Sequence, residues 1–380
     1  MDTCDVLIVG AGPAGSACAW KLRHAGIDVL LIDKATFPRN KVCGGWITPA
    51  VLEELQIDPR AYARNRVLQP LTGFRTSFMG GTEVETNYGK PISYGIRRVE
   101  FDEFVLSRCD ARILQGVSLT TLDRIGDCWV ANGEIHARLV IGAGGHFCPV
   151  ARLLGAASSN DTAVVAQEAE FEMTPAQMRS CSIQPELPEL YFCHDMRGYG
   201  WCFRKEKYLN IGLGRMDPRS LPMHVAGFLD FLRASGKIGF ALPGPMQGHA
   251  YLLHGRNRRT IVGERFLLIG DAAGVAYSQS GEGIRPAIES GLLAAETIIA
   301  ANGKYNVGTL KGYPGLLAGR FGGSGDGWLS FVGSYLPDVA IQALAKGLLA
   351  NKWITRHVVL DHWFLRTHEP ALSSVCTVPS

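Results

Sequence analysis

Charge of one sign is what this 380-residue chain has little of: its net charge is only +3. Dedicated nucleic-acid binders carry a strong basic excess, so that class is set aside. The ten cysteines are scattered, and no two stand as Cys-x-x-Cys. Neither a structural zinc site, a thioredoxin-like pair nor a disulfide framework is indicated, and reduced thiols are expected. No metal site is expected, since His146, His194, His249 and His254 lack partners at ligand spacing and read as structural or surface residues. Apolar runs of 18 or more residues are missing, which excludes a spanning helix. The first residues, MDTCDVLIVG, lack a basic n-region and a signal-peptide core, so the expected location is the cytoplasm. Gly-x-Ser-x-Gly and His-Glu-x-x-His are missing too, which leaves hydrolase chemistry unsupported.

Apolar residues make up 47 % of the chain and glycine contributes 45 positions. The length suits two domains, or one domain with a large insertion. The run Asp5 to Gly10 (DVLIVG) reads as a buried parallel strand. It leads into GAGPAG, where Gly10, Gly12 and Gly15 form Gly-x-Gly-x-x-Gly with Pro13 and Ala14 between. Helix formers follow to Gly26, and DVLLID (Asp28 to Asp33) is a second strand ending in an acid, with Lys34 after it. This is a complete βαβ unit for a dinucleotide. Gly10 makes the tight turn, Gly12 admits a pyrophosphate against the backbone, and Gly15 lets helix and strand pack closely. The helix N-terminus offers amides and partial positive charge, and Asp33 can accept from ribose hydroxyls. This motif alone does not separate FAD from NAD.

Further on, RFLLIGDAAG (Arg265 to Gly274) reads as a strand delivering Gly270 and Asp271. A loop follows, and helical spacing begins near Gly283 and Ile284. Asp271 is placed for a sugar-like polyol. The Gly281–Gly283 amides can surround the electron-rich edge of an isoalloxazine, and such a helix N-terminus stabilises an anionic reduced flavin. FAD is the expected cofactor.

GAGPAG together with GDAAG…GEGI resembles the p-hydroxybenzoate hydroxylase-like flavoproteins and, within them, the geranylgeranyl reductase family. KVCGGW (Lys41 to Trp46) is similar to that family's KxCGG flavin loop, which implies flavin contact for Cys43, Gly44 and Gly45. RRVEFD (Arg97 to Asp102) is similar to its RxxFD segment, which implies that Arg98 lies near the FAD. LVIGAGGHFCPVARLLG (Leu139 to Gly155) is similar to its third flavin segment and contributes Gly145. GYGWCF (Gly198 to Phe203) is similar to its YxWxF strand, which implies a substrate cavity walled by Tyr199, Trp201 and Phe203. The resemblance covers roughly residues 3 to 300. The chain departs from it at Gly144, where the family has aspartate. It departs again at Tyr277-Ser278-Gln279-Ser280 and at Arg204, where proline is usual. The external electron donor stays open between NAD(P)H and a reduced carrier.

The expected fold is α/β: a discontinuous Rossmann-type FAD-binding domain (1–75, 94–159, 255–303), an antiparallel-sheet substrate domain (76–93, 160–254) and a C-terminal helical region (304–380). The resemblance implies an FAD-dependent oxidoreductase reducing a carbon–carbon double bond in an isoprenoid or lipid-like substrate. Two alternatives remain: a flavin monooxygenase hydroxylating an aromatic or polyketide compound, and a non-catalytic electron-transfer flavoprotein. Cys43 reads either as a small buried apolar residue or, on the resemblance, as the candidate catalytic residue that donates a proton or positions an alkene, with Lys41 and Arg39 as cations nearby in sequence. The expected partner is a small hydrophobic or aromatic molecule. The Lys/Arg and Trp/Phe/Leu mixture of Ala343 to His368 reads either as a C-terminal helix pair covering the core or as an amphipathic surface in peripheral contact with lipid headgroups.

Overall fold

The computed structural model describes residues 2–157, 163–217, 219–255, 259–322 and 347–375. Two compact units are present. One comprises Met1–Asn40, Val99–Ala163 and Tyr251–Ser324; the other comprises Lys41–Arg98, Val164–Ala250 and Gly325–Ser380.

The first unit is a doubly wound sheet. Its strands run in the order Val262–Gly263, Phe266–Leu268, Ile135–Gly142, Asp2–Val9, Val29–Asp33 and Arg112–Gln115, with a hairpin of Leu122–Ile125 and Cys128–Ala131 attached to Ile135–Gly142. The central pairings are parallel. Val6, Leu7 and Ile8 are fully buried, as a strand covered on both faces requires. Helices Pro13–His24 and Ile284–Ala300 pack together. Their approach depends on Gly291, where any Cβ would strike the Ala14 carbonyl oxygen.

The second unit is built on a seven-stranded sheet ordered Gln247–Leu252, Ala163–Glu172, Tyr208–Arg215, Gly198–Lys205, Glu189–Phe192, Gly73–Phe78 and Val84–Asn87. It is antiparallel at four pairings and parallel between Glu189–Phe192 and Gly73–Phe78. Helix Leu221–Ala234 covers one face through Val225, Phe228 and Leu232, against Cys202, Leu209, Ile211 and Leu213. The other face carries Phe74, Phe78, Leu190, Phe192, Tyr199 and Trp201. It is covered by Leu349, Val359, Leu360, Phe364 and Leu365 from the far end of the chain. A three-stranded sheet joins Trp46–Ile47, Ser93–Ile96 and Leu68–Leu71.

The division differs from the expected one: Gly325–Ser380 joins the second unit instead of forming a region of its own, and two further stretches change place. Residues 41–75 belong with the second unit, because Leu68–Leu71 pairs with Ser93–Ile96 and Gly73–Phe78 pairs with Glu189–Phe192. The helices Val307–Leu310 and Tyr313–Phe321 belong with the first unit, where the Tyr313 hydroxyl donates to the Leu268 and Ser290 carbonyls. Towards the end of the chain a helix begins at Lys352–Ile354 and continues as a π-helix over Thr355–Phe364. It is anchored where the Tyr88 hydroxyl donates to Asp361 Oδ1 at 2.6 Å and Arg356 lies over the Tyr88 ring. No described helix is long and apolar enough to cross a membrane.

Candidate functional site

In the first unit the glycine loop is a tight cradle. Gly10 has φ +118°, and a Cβ there would collide with the Ala143 carbonyl. A Cβ on Gly15 would collide with the Gly10 carbonyl oxygen. Gly12 caps the helix in extended backbone, Pro13 opens it, and the Ser16 amide makes the first helical bond to the Gly12 carbonyl. The first-turn amides therefore face the loop's open side. Asp33 ends the second strand, and its carboxylate ties the loop together. Its Oδ2 accepts from the Ala11 amide at 2.7 Å and its Oδ1 from the Ala35 amide at 2.8 Å. Each oxygen keeps a lone pair for a ribose hydroxyl. Lys34, next in sequence, is exposed.

The second motif closes on the first. A Cβ at Gly270 (φ +62°) would stand 2.9 Å from the Ala14 Cβ, and the Gly270 amide donates to Ser290 Oγ at 2.9 Å. Asp271 lies in the one-turn helix Gly270–Ala272. Its Oδ1 is 3.5 Å from where a Cβ on Gly283 would be, and Gly283 caps helix Ile284–Ala300. Gly281 is left-handed at φ +69°, packed on the Tyr251 hydroxyl. This donor set fits a flavin dinucleotide: one acid and one helix N-terminus serve one half of the molecule, and a second such pair serves the other half.

Two arginines here were not assigned to the cofactor from sequence. Arg39 pairs with buried Asp102 at 3.3 Å, and its Nη2 lies 3.7 Å from the Cβ position of Gly12. Arg259 donates to the Ala272 carbonyl at 3.0 Å and the His146 carbonyl at 3.3 Å, so it joins the Asp271 segment to the Ala143–Cys148 loop. Local pattern could not reveal either, because the partners lie far away in sequence. Gly145 has φ +75° and open space around it. At Gly144 a Cβ would lie 2.9 Å from Pro149 Cδ and 3.1 Å from Cys148 Cα, so Pro149 occupies the room that a longer side chain needs.

In the second unit the Cys43-Gly44-Gly45 loop is seated on the sheet. A Cβ at Gly44 would lie 3.5 Å from Trp201 Nε1 and 3.8 Å from Phe203 Cε1. Gly45 has φ +63° and is packed on the Ile96 carbonyl and on Lys205 Nζ. Its amide points at Cys43 Sγ from 3.4 Å. Tyr199, Trp201 and Phe203 share one face, as their spacing requires. Trp201 lies over Gly212, the residue opposite it in register, and donates Nε1–H to Asn210 Oδ1 at 2.7 Å. Tyr199 meets Trp201 at 6.1 Å and Phe364 at 5.5 Å between ring centroids. Phe203 is buried against Gly44, Gly95 and Lys205, so the half-buried aromatics of this face are Tyr199, Trp201 and Trp46, packed against buried Phe364. Lys41 Nζ sits against the His249 ring, 2.9 Å from Nε2. Arg98 opens helix Arg98–Ser107 with its side chain buried.

Beneath this loop lies a polar cluster that has no local sequence signature. Glu168, Glu170, Lys205 and Asn210 come from three adjacent strands and face the same side. Lys205 is bonded to Glu170, and Arg97 Nε is 3.4 Å from Glu170 Oε1. Burial pushes the Glu168 carboxyl above the usual carboxylate range; Lys205 and the Cys43 amide oppose that shift, and Glu170 adds to it.

A family model described as an NAD(P)-binding Rossmann-like domain matches residues 8–63. Menaquinone reductase of Mycobacterium tuberculosis is 32 % identical over 346 residues, covering 84 % of this chain and 81 % of that protein. Digeranylgeranylglycerophospholipid reductase 2 of Methanosphaera stadtmanae is 29 % identical over 338 residues, covering 83 % of each. Among solved structures, a geranylgeranyl bacteriochlorophyll reductase-like protein from Thermoplasma acidophilum superposes with TM-score 0.79 at 20 % identity, over 97 % of this chain and 98 % of that one. The flavin-dependent brominase Bmp2 superposes with TM-score 0.67 at 18 % identity, over 84 % of each chain. At those identities the structures share the fold.

Proposed function

Because the chain belongs to the geranylgeranyl reductase family of FAD-dependent oxidoreductases, we propose that it reduces a carbon–carbon double bond in the prenyl chain of a lipid-like molecule. The single observation that carries this reading is the seating of the Cys43-Gly44-Gly45 loop on the aromatic strand, where Gly44, the residue after Cys43, packs against Trp201 and Phe203. When bound, reduced FAD supplies the hydride. The chain's own residues do the rest. Gly10, Gly12, Pro13, Ala14, Gly15 and Arg39 would hold the pyrophosphate end, Asp33 and Lys34 the adenosine side, and Asp271 with Gly270 the ribityl chain. Gly281, Gly283, Ile284 and Gly145 of the first unit would face the ring, and the resemblance implies flavin contact for Arg98, Gly44 and Gly45 of the second. Tyr199 and Trp201 lay the prenyl chain flat and exclude water, and Cys43 holds the proton that the reduced carbon receives.

Lipid contact belongs to the same reading. Trp353 is 65 % exposed, and Lys352 and Arg356 are exposed beside it on the C-terminal helix. That combination suits a headgroup surface from which a greasy substrate is drawn.

The test uses pre-reduced holoenzyme mixed without oxygen with a prenylated quinone or a digeranylgeranyl lipid. The expected product has gained two hydrogens, and Cys43→Ser forms it ~10²-fold more slowly, the scale of a lost acid–base group. Consumption of oxygen coupled to an oxygenated product would replace this reading with the monooxygenase one.

A further inference from the structure

Cys43 is gripped at both of its backbone polar groups by side chains of the sheet. Its amide donates to Glu168 Oε1 at 2.5 Å, and its carbonyl accepts from Asn210 Nδ2 at 3.3 Å. The same Asn210 Nδ2 donates to Glu168 Oε2 at 3.2 Å. Both gripping residues are buried, Glu168 at 5 % exposure and Asn210 at 0 %. Neither is free to turn. Glu168 is fixed at each oxygen, and Asn210 is fixed at Oδ1 by the Trp201 indole. Glu170 Oε2 also stands 3.2 Å from Asn210 Nδ2, so the two N–H groups of that amide are shared among three acceptors, and Lys205 is bonded to Glu170.

We propose that Glu168 and Asn210 are positioning residues that clamp the Cys43 peptide and couple the loop to the substrate-facing Trp201. This rests on the reading of Cys43 given above. A short loop of Cys-Gly-Gly has little stiffness of its own, since glycine loses more conformational freedom on ordering than any other residue. A thiol that must meet one carbon of a bound chain needs its backbone held, because reactivity falls steeply with small misplacement. The clamp supplies that hold from a rigid sheet rather than from the loop. It also links loop to wall. Asn210 bonds the Cys43 carbonyl and the Trp201 indole at once, so displacement of the indole by a substrate chain is felt at Cys43.

The chemistry of the clamp demands a carboxylate. Each Glu168 oxygen accepts a hydrogen bond, one from an amide and one from a carboxamide nitrogen. Glutamine has the same shape but one acceptor oxygen. In either orientation its own N–H group meets another N–H, at Cys43 or at Asn210, and Asn210 cannot flip to relieve this without abandoning Trp201. Glu168→Gln therefore opens the clamp while keeping the volume of the site.

The experiment compares wild type, Glu168→Gln, Asn210→Ala and Cys43→Ser as FAD-loaded proteins. Hydrogen exchange of the peptide spanning residues 41–46 is read by mass spectrometry, and single-turnover reduction of a prenylated quinone is read by pre-reduced mixing. In Glu168→Gln the loop is expected to exchange about tenfold faster or more, the scale of one lost hydrogen bond to a charged acceptor. Single-turnover rate is expected to fall about tenfold, with the apparent substrate affinity and the bound-flavin spectrum unchanged. Asn210→Ala, the second variant should the first fold poorly, is expected to show both effects and a raised KM, because Trp201 loses its tether. Unchanged exchange at 41–46 in both variants would overturn the clamp. Faster exchange with a wild-type rate of reduction would overturn its positioning role. If Cys43→Ser turns over as wild type, the catalytic reading of Cys43 fails, and the exchange data still decide the clamp by themselves.

Discussion

Replacing Asp33 by asparagine removes one acceptor from the centre of the dinucleotide cradle and changes little else in shape. The carboxylate holds the Ala11 amide at 2.7 Å and the Ala35 amide at 2.8 Å. Asparagine can satisfy one of these; its amide nitrogen then faces the other N–H. A hydrogen bond to a charged acceptor contributes about 1.5–3 kcal/mol, and Asp33 is only half-buried, so the lower end applies. About 1.5 kcal/mol is roughly a tenfold loss in affinity, and loss of the ribose contact extends this to as much as ~100-fold. The assay is titration of apoprotein with FAD, followed by quenching of flavin fluorescence, beside a thermal melt of the apoprotein. The melt separates a loosened loop, which lowers Tm without cofactor, from a lost ribose contact, which does not. Affinity within about twofold of wild type, together with an unchanged apoprotein Tm, would refute the role given to Asp33.

Asp271→Ala should weaken FAD by about one to two decades, since a polyol hydroxyl loses a charged acceptor; equal titration curves would show that the acid does not face the cofactor. Gly291→Ala should destabilise the fold by ~1–3 kcal/mol, because the added methyl meets the Ala14 carbonyl; denaturant midpoints for both proteins decide it. Glu168 is more basic in the fold than an ordinary carboxylate, so the folded state binds the extra proton between the ordinary value and the raised one. The contribution of Glu168 to stability therefore falls as pH rises through that window, and Tm of wild type minus Tm of Glu168→Gln should shrink across it and then level; a difference that grows with pH would contradict the dominance of burial. Trp353→Ser combined with Lys352→Glu should reduce sedimentation with anionic vesicles, and equal sedimentation would remove lipid contact from the C-terminal helix.

The parts of the site that were legible in the sequence are those written in consecutive residues. Asp2–Val9, the glycine loop and Val29–Asp33 form one contiguous unit, and their local geometry is dictated by glycine stereochemistry and helix termini. The alternation of Tyr199, Trp201 and Phe203 likewise put them on one face, although Phe203 turned out to be loop support and not exposed wall. The clamp was illegible because its partners are 125 and 167 residues from Cys43, and isolated Glu and Asn on a strand read as solvated positions. Residues 41–75 were misplaced for a related reason: the partners that hold them, Ser93–Ile96 and Glu189–Phe192, come later in the chain, and strand pairing carries no label of its mate. The C-terminal helix was expected, but not its π-helical winding over Thr355–Phe364, which composition does not encode.

The covering of the second sheet by Leu349, Val359, Leu360 and Phe364 has a consequence for how the protein is made. The sheet's strands have all left the ribosome long before those residues are synthesised. Until then Phe74, Phe78, Leu190 and Phe192 present an uncovered aromatic surface, the kind that draws chaperones or self-associates. Nascent chains halted before residue 347 should therefore be captured by hydrophobic-surface holdases, and release should coincide with emergence of the C-terminal helix. The same timing makes the end of the chain an unsuitable place for a bulky fusion that delays docking, whereas the opposite face, already closed by Leu221–Ala234, matures as the chain is being extended.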